Sequence, residues 1–269
     1  MQKILIIVVV MLAACVGCQW NLRPSDDNDA VAVNIDRYDQ IERIYLTTGD
    51  FAALQQLKTA YPIQTRTLIE DVLGIGQVSD SDINMRFLVF FQDTTLQTIL
   101  SDVETQYADM SDVSRELNRA FLRLRQLLPE VSLPNVYTQV GSLDQSIVVG
   151  DGLLGISLDK YLGEDYPLYL KFNYTPQQRS MMTRQYIVPD CIGFFLLSRY
   201  PLLCDATDEA HQWHMAKIQY VVNRVTGREV FDHPLISRVD SIVKGQKNFS
   251  IDKLLAQSPL AASHPNVER

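Results

Sequence analysis

Cysteine is scarce and unevenly spaced in this chain, glycine and proline are thin, and cations are outnumbered. Four cysteines, Cys15, Cys18, Cys191 and Cys204, are too few and too irregularly placed for a disulfide scaffold or a paired CxxC zinc site. With 12 Gly and 11 Pro in 269 residues, 46% of them hydrophobic, collagen-like and disordered chains are excluded. Lys and Arg number 24 against 32 Asp and Glu, a net charge of -8, and the cations are scattered. That leaves no electrostatic footprint for a phosphate backbone, so no nucleic-acid partner is expected. No Gly-x-Ser-x-Gly elbow occurs, and His233 and His264 stand beside prolines without a nearby nucleophile, which argues against a hydrolytic triad. Gly74-Ile75-Gly76 is too short for a phosphate-binding fingerprint and reads as a helix terminator.

The uninterrupted apolar run from Ile4 to Leu12 follows a single charge, Lys3. It is shorter than the roughly 20 residues a spanning helix needs, and it reads as the core of a signal peptide covering residues 1–14. The run ends in Leu12-Ala13-Ala14-Cys15, which resembles the bacterial lipobox, and makes Cys15 the expected lipid acceptor. Cys18 is a second possible acceptor, but Cys15 itself occupies the position where an aliphatic residue would precede it. A lipidated N-terminus implies a bacterial envelope protein whose membrane partner is reached through acyl chains, with the outer membrane facing the periplasm as the expected site. Residues 15–30 contain Pro24 and the cluster Ser25-Asp26-Asp27-Asn28-Asp29 and read as a flexible acidic tether, a surface-export tract being the alternative.

Residues 31–269 read as one helix-rich α+β domain with a small β-sheet. Val31 to Ile35 alternates weakly and suits a strand, after which 40–57 and 65–73 show helical spacing broken at Gly49-Asp50 and Pro62. The spacing predicts clearer helices over 95–107 and 111–128, the second with Val113, Leu117, Phe121, Leu124 and Leu128 on one stripe and Pro129 as its stop. The period then falls to two at 135–140, 146–149 and 153–158, and Gly150-Asp151-Gly152 signals a hairpin between the last two runs. Helices are expected again at 176–184, 189–200, 207–225, 235–243 and 251–256, with a loose tail from Ser258.

The segments Glu116 to Pro129, Leu133 to Thr138 and Gly155 to Tyr169, the last containing Leu158-Asp159-Lys160-Tyr161-Leu162-Gly163, resemble the gliding motility lipoprotein GldB family of Bacteroidetes. Asp93-Thr94 before a helix fits as well, and the resemblance covers roughly residues 31–200. It implies a component of the gliding motility and associated secretion machinery, with unidentified envelope proteins as partners. The family is similar in turn to zinc peptidases whose buried helix carries His-Glu-x-x-His, where two histidines one turn apart bind the metal and the glutamate activates its water. The matching helix here, Pro189 to Leu197, has no histidine. The resemblance therefore implies a degenerate zincin-like metallopeptidase fold without cofactor, used as a non-catalytic binding or assembly module.

Asp159 and Tyr161, at the end of a strand that must turn into a helix, are the candidate recognition residues, with Asp190 at the mouth of the buried helix as their neighbour. The alternative for Asp159 is a capping aspartate bonded to amides of the following turn. The alternative function is a metal-dependent hydrolase at His211 and His214, whose i,i+3 spacing sets both imidazoles on one helical side, with Asp208 a turn earlier. That same side carries Met215, Ile218, Val221, Val222 and Val225, which makes it the core-facing stripe and favours packed histidines bonded to backbone or water. Cys191 and Cys204 either pair in the oxidising envelope or remain two free buried thiols.

Overall fold

The first described element, β1 (Ile35–Asp36), is a strand of two residues, shorter than the alternation at 31–35 suggested, because the chain turns at once into helix α1 (Tyr38–Thr48). The computed structural model describes residues 33–150, 152–202, 206–245 and 250–256. Gly49, at φ 69°, ends α1 in the left-handed conformation open to glycine, and Asp50 then caps α2 (Phe51–Thr59) by accepting from the Ala53 amide. Helix α3 (Pro62–Arg66) starts at a proline and runs into a π-helical turn at Thr67–Val72. Helices α4 (Ile83–Phe90), α5 (Thr94–Gln106) and α6 (Ser111–Leu127) follow. The Asp93 carboxylate caps α5 by accepting from the amides of Thr95 and Leu96. Along α6, Val113, Leu117, Ala120, Phe121 and Leu124 are all buried. Each of its larger apolar side chains contributes roughly 1.5–3 kcal/mol of burial, so packing rather than propensity holds this helix.

Strands β2 (Asn135–Gln139), β3 (Ile147–Gly150) and β4 (Leu153–Ser157) complete a four-stranded sheet of order β1-β2-β4-β3. β1, β2 and β4 are parallel, while β3 pairs antiparallel with β4 through the expected hairpin and forms one edge. Tyr137 faces Gly155 and Gly155 faces Val148, so these three positions share one side of the sheet; Thr138, Ile156 and Ile147 share the other. Gly155 is required there. A Cβ at that position would lie 2.5 Å from Tyr137 Cζ, so the tyrosine ring occupies the space a side chain would fill.

After a 3₁₀ turn at Leu158–Tyr161 come α7 (Pro167–Lys171), α8 (Pro176–Met181), a 3₁₀ turn at Arg184–Tyr186, α9 (Ile187–Arg199), α10 (Asp208–Thr226), α11 (Pro234–Gly245) and α12 (Ile251–Ala256). α9 starts two residues before Pro189, which sits in its first turn, where a missing N–H costs nothing. α9 packs on β3, β4, α6 and α10, and α10 packs on α6, α11 and α12, while α1 covers β2. The result is an α+β fold, helix-rich with a small mixed sheet, whose buried side chains form one contiguous core. No helix among the described residues is long and apolar enough to cross a membrane.

Cys15, Cys18, the signal-peptide run, the acidic tether and the tail from Ser258 lie outside the described residues.

Candidate functional site

Two non-glycine residues in succession, Ser142 and Leu143, adopt positive φ angles of 54° and 66° just beyond β2. Such conformations cost on the order of 1–3 kcal/mol each and persist only where the surroundings hold them. Asp159 supplies that hold. Its Oδ1 accepts from the Gly141 amide at 2.8 Å and its Oδ2 from the Leu143 amide at 2.5 Å. The next residue ties down the same loop from the other side, since Lys160 Nζ and Tyr174 Oη both donate to the Leu143 carbonyl, at 3.2 and 2.8 Å.

This corrects the expected position of Asp159 in two respects. β4 ends at Ser157, so the aspartate stands in the 3₁₀ turn rather than at a strand end, and it is fully buried. Its amide partners belong to the loop after β2, 16 and 18 residues earlier, and not to the turn that follows it. Burial raises its carboxyl above the usual range, and the two amides work against that rise.

The rest of the Leu158 to Gly163 segment is equally tied. Tyr107 Oη donates to the Tyr161 carbonyl at 2.6 Å, Tyr169 Oη donates to the Asp159 carbonyl at 2.5 Å while accepting from the Leu162 amide, and the Gly163 amide reaches the Met182 carbonyl at 3.0 Å. Tyr161 points its hydroxyl to Asp190 Oδ2 at 2.8 Å, so the structure brings these two candidates together, with Cys191 buried beside them. Asp190 is partly exposed. Burial lifts its carboxyl to about 6, and the Tyr161 hydroxyl lowers it in part. The Cys191 thiol is pushed well above its ordinary value, first by burial and then by Asp190, which makes it a poor thiolate. Cys204 lies outside the described residues.

A second polar group is buried next to this one and is less complete. Tyr38, Glu42 and Tyr45 occupy one stripe of α1, so the glutamate is carried into the core with the tyrosines. Glu42 accepts from the Val140 amide at 3.0 Å through Oε2, while its Oε1 and the Gln139 Oε1 have no hydrogen-bond partner among the described residues. Burial pushes the Glu42 carboxyl well above the usual range and the nearby Asp39 and Asp159 add to the rise, so its neutral form is favoured. Asp39 pairs with Arg37 at 2.8 Å and accepts from Thr138. A carboxylate at i+4 between two stripe tyrosines is a signal legible in the sequence.

The histidines of α10 divide. His211 is exposed, with Nδ1 3.0 Å from the Thr207 carbonyl, so it does not join the packed side of the helix. His214 is buried and has no partner at Nε2 among the described residues; burial lowers its pKa, and Lys217 and His211 lower it further. Asp208 occupies the first turn after the Thr207 cap, as expected. Among the described residues no three His, Cys, Asp or Glu side chains converge as a metal site.

Among the described residues, a cleft of about 290 Å³ is lined by Thr67 and Asp71 of the π-helical turn, Tyr137 of β2, Val148, Val149 and Gly150 of β3, and Leu153 of β4. None of these residues is a candidate site residue in the sequence, where Gly150 figures only as a hairpin signal. The cleft depends on a tertiary juxtaposition of residues up to 86 positions apart in number (67 to 153), which no local pattern encodes.

A family model described as gliding motility protein GldB matches residues 19–227 of the chain. No curated protein matches it, and no solved structure does.

Proposed function

This chain belongs to the gliding motility protein GldB family, and from that premise we propose that it is a non-catalytic binding or assembly module of the gliding and associated secretion machinery. In this reading Cys15 carries the lipid that holds the protein to the bacterial envelope, at the outer membrane facing the periplasm, and the partners are other envelope proteins. The partly exposed Asp190, held by the Tyr161 hydroxyl, is the polar contact, and Asp159 is a positioning residue that fixes the loop after β2.

One observation carries the reading. Asp159 gives both carboxylate oxygens to backbone amides, so the one fully buried carboxylate of the motif shapes the surface rather than facing a reacting atom. Asp190 keeps its shape but loses its charge in Asp190→Asn, so folding and recognition separate. The variant should match the parent or exceed it in thermal stability at pH 8 and should fail to restore a deletion strain. Full restoration by Asp190→Asn would refute the assignment of that residue. For the anchor, Cys15→Ala should release the protein from membranes; unchanged membrane fractionation would assign the lipid to Cys18 or to another anchor.

A further inference from the structure

Strand β3 is an edge whose outer backbone groups are set by the register. The Ser157 amide donates to the Ser146 carbonyl at 3.0 Å, which makes Ser146 with Ser157 a hydrogen-bonded pair. Antiparallel pairs alternate, so Val148 with Gly155 and Gly150 with Leu153 are the next bonded pairs, and the N–H and C=O of Ile147 and Val149 point away from β4. No backbone group among the described residues bonds to them. An edge of this kind is a template for a further strand unless something covers it.

The same strand lines the 290 Å³ cleft, and the cleft has a definite chemistry. Its floor is Tyr137, Val148 and Leu153, on the sheet side that Gly155 leaves bare for the tyrosine ring. Tyr137 is 2% exposed as a residue, and it lines the cleft. Opposite stands Asp71, exposed and without an ion pair among the described residues, on a chain whose net charge is -8. An exposed carboxylate without an ion pair among the described residues, a tyrosine lining the cleft beside it, and outward strand amides together match an extended peptide with a basic side chain.

We propose that β3 receives an extended peptide as an added strand, with a lysine or arginine of that peptide entering the cleft between Asp71 and the Tyr137 hydroxyl. Main-chain bonds to Val149 supply the affinity, and the cleft supplies the selection for positive charge. The site is separate from Asp190 and stands or falls independently of the role proposed for that residue.

The probes are two fluorescein-labelled peptides, one alternating valine with lysine and one alternating valine with glutamate, titrated into the purified full chain. The lysine peptide should bind saturably and the glutamate peptide should not. Val149→Pro removes an N–H that makes no internal bond, a substitution edge strands tolerate, and should abolish binding. Asp71→Asn should weaken it about tenfold, the equivalent of one charge-assisted contact. In the unsubstituted protein, amide exchange at Val149 should slow when the lysine peptide saturates it, a readout that holds even if the proline variant does not fold. Lysine-peptide binding that survives in folded Val149→Pro, equal binding of the glutamate peptide, or unchanged exchange at Val149 would each overturn the proposal. The first of these would identify mere attraction of a cation to an acidic protein.

Discussion

Two regions of one small sheet treat their polar groups in opposite ways. At the carboxyl ends of β2 and β4, the loop Gly141 to Leu143 and the segment Leu158 to Gly163 share a dense set of bonds, with Asp159, Lys160, Tyr107, Tyr169 and Tyr174 each placed on a named backbone atom. At the β3 edge, among the described residues, Val149 turns its main-chain groups away from β4 without a backbone partner, and Asp71 is exposed and makes no ion pair. Buried polar groups that are fully satisfied rigidify a fold, whereas unsatisfied ones near an opening are where a ligand gains most. The most specific sequence motif thus lies in the region whose backbone is held by many side-chain bonds, and the residues of the β3 edge carry no motif at all.

The contrast can be broken most forcefully at Asp159. Asp159→Ala leaves two buried amides without an acceptor and two positive-φ residues without a brace, which should lower stability by on the order of 2–5 kcal/mol in urea unfolding. Asp159→Asn keeps one good acceptor and should cost about half as much. A loss below about 0.5 kcal/mol for the alanine variant would mean that the loop is held by Lys160 and Tyr174 alone.

Gly155→Ala comes next. The new methyl would meet Tyr137 Cζ and Oη at 2.5 and 2.6 Å, an overpacking that should cost about 1–3 kcal/mol. Tyr137→Leu lacks both atoms and should recover part of that loss in the double variant. Strict additivity of the two changes in urea midpoint would show that ring and glycine do not share this space.

Asp190 sharpens the comparison through pH. Its carboxyl stands raised to about 6 in the folded protein from an ordinary 3.8. Between those values the native state keeps a proton that the unfolded chain releases, so its contribution is complete below about pH 4 and is lost as pH rises through about 6. Asp190→Asn should flatten that slope and stabilise the protein at pH 8 by about 1–2 kcal/mol, allowing for the partial exposure of the group. Urea midpoints from pH 4 to 8 measure it, and an undiminished slope in the variant would assign the titration to another acid such as Glu42. The smallest effect is expected at Asp71, which makes no ion pair among the described residues: Asp71→Asn should change stability by less than about 0.5 kcal/mol.

What was legible in the sequence follows the range of the interaction. α5 and α6 are written in apolar residues at helical spacing and end where their caps and Pro129 put them, and the β3–β4 hairpin is announced by its two glycines. α4 was missed because Ile83, Phe87, Leu88, Val89 and Phe90 crowd apolar residues onto every side and blur the period. α9 begins earlier than its proline suggested, since a first-turn position tolerates Pro189. Within the site, local pattern set Asp159 at a strand end, whereas β4 stops at Ser157 and the aspartate is buried in the 3₁₀ turn. Its partners Gly141 and Leu143 were not legible, because bonds spanning 16 to 18 residues depend on the parallel pairing of β2 with β4. Tyr161 and Asp190 were set side by side as candidates from their positions at element ends, and their hydroxyl–carboxylate contact at 2.8 Å bridges 29 residues.

Native-state amide hydrogen exchange, read at Gly141, Leu143 and Val149 in one experiment, tests the contrast between the closed and open regions most directly. The expected result is strong protection at Gly141 and Leu143, approaching that of global unfolding and lost in Asp159→Ala, beside rapid exchange at Val149. Rapid exchange at Gly141 and Leu143, or protection at Val149 equal to theirs in the protein alone, would contradict the account.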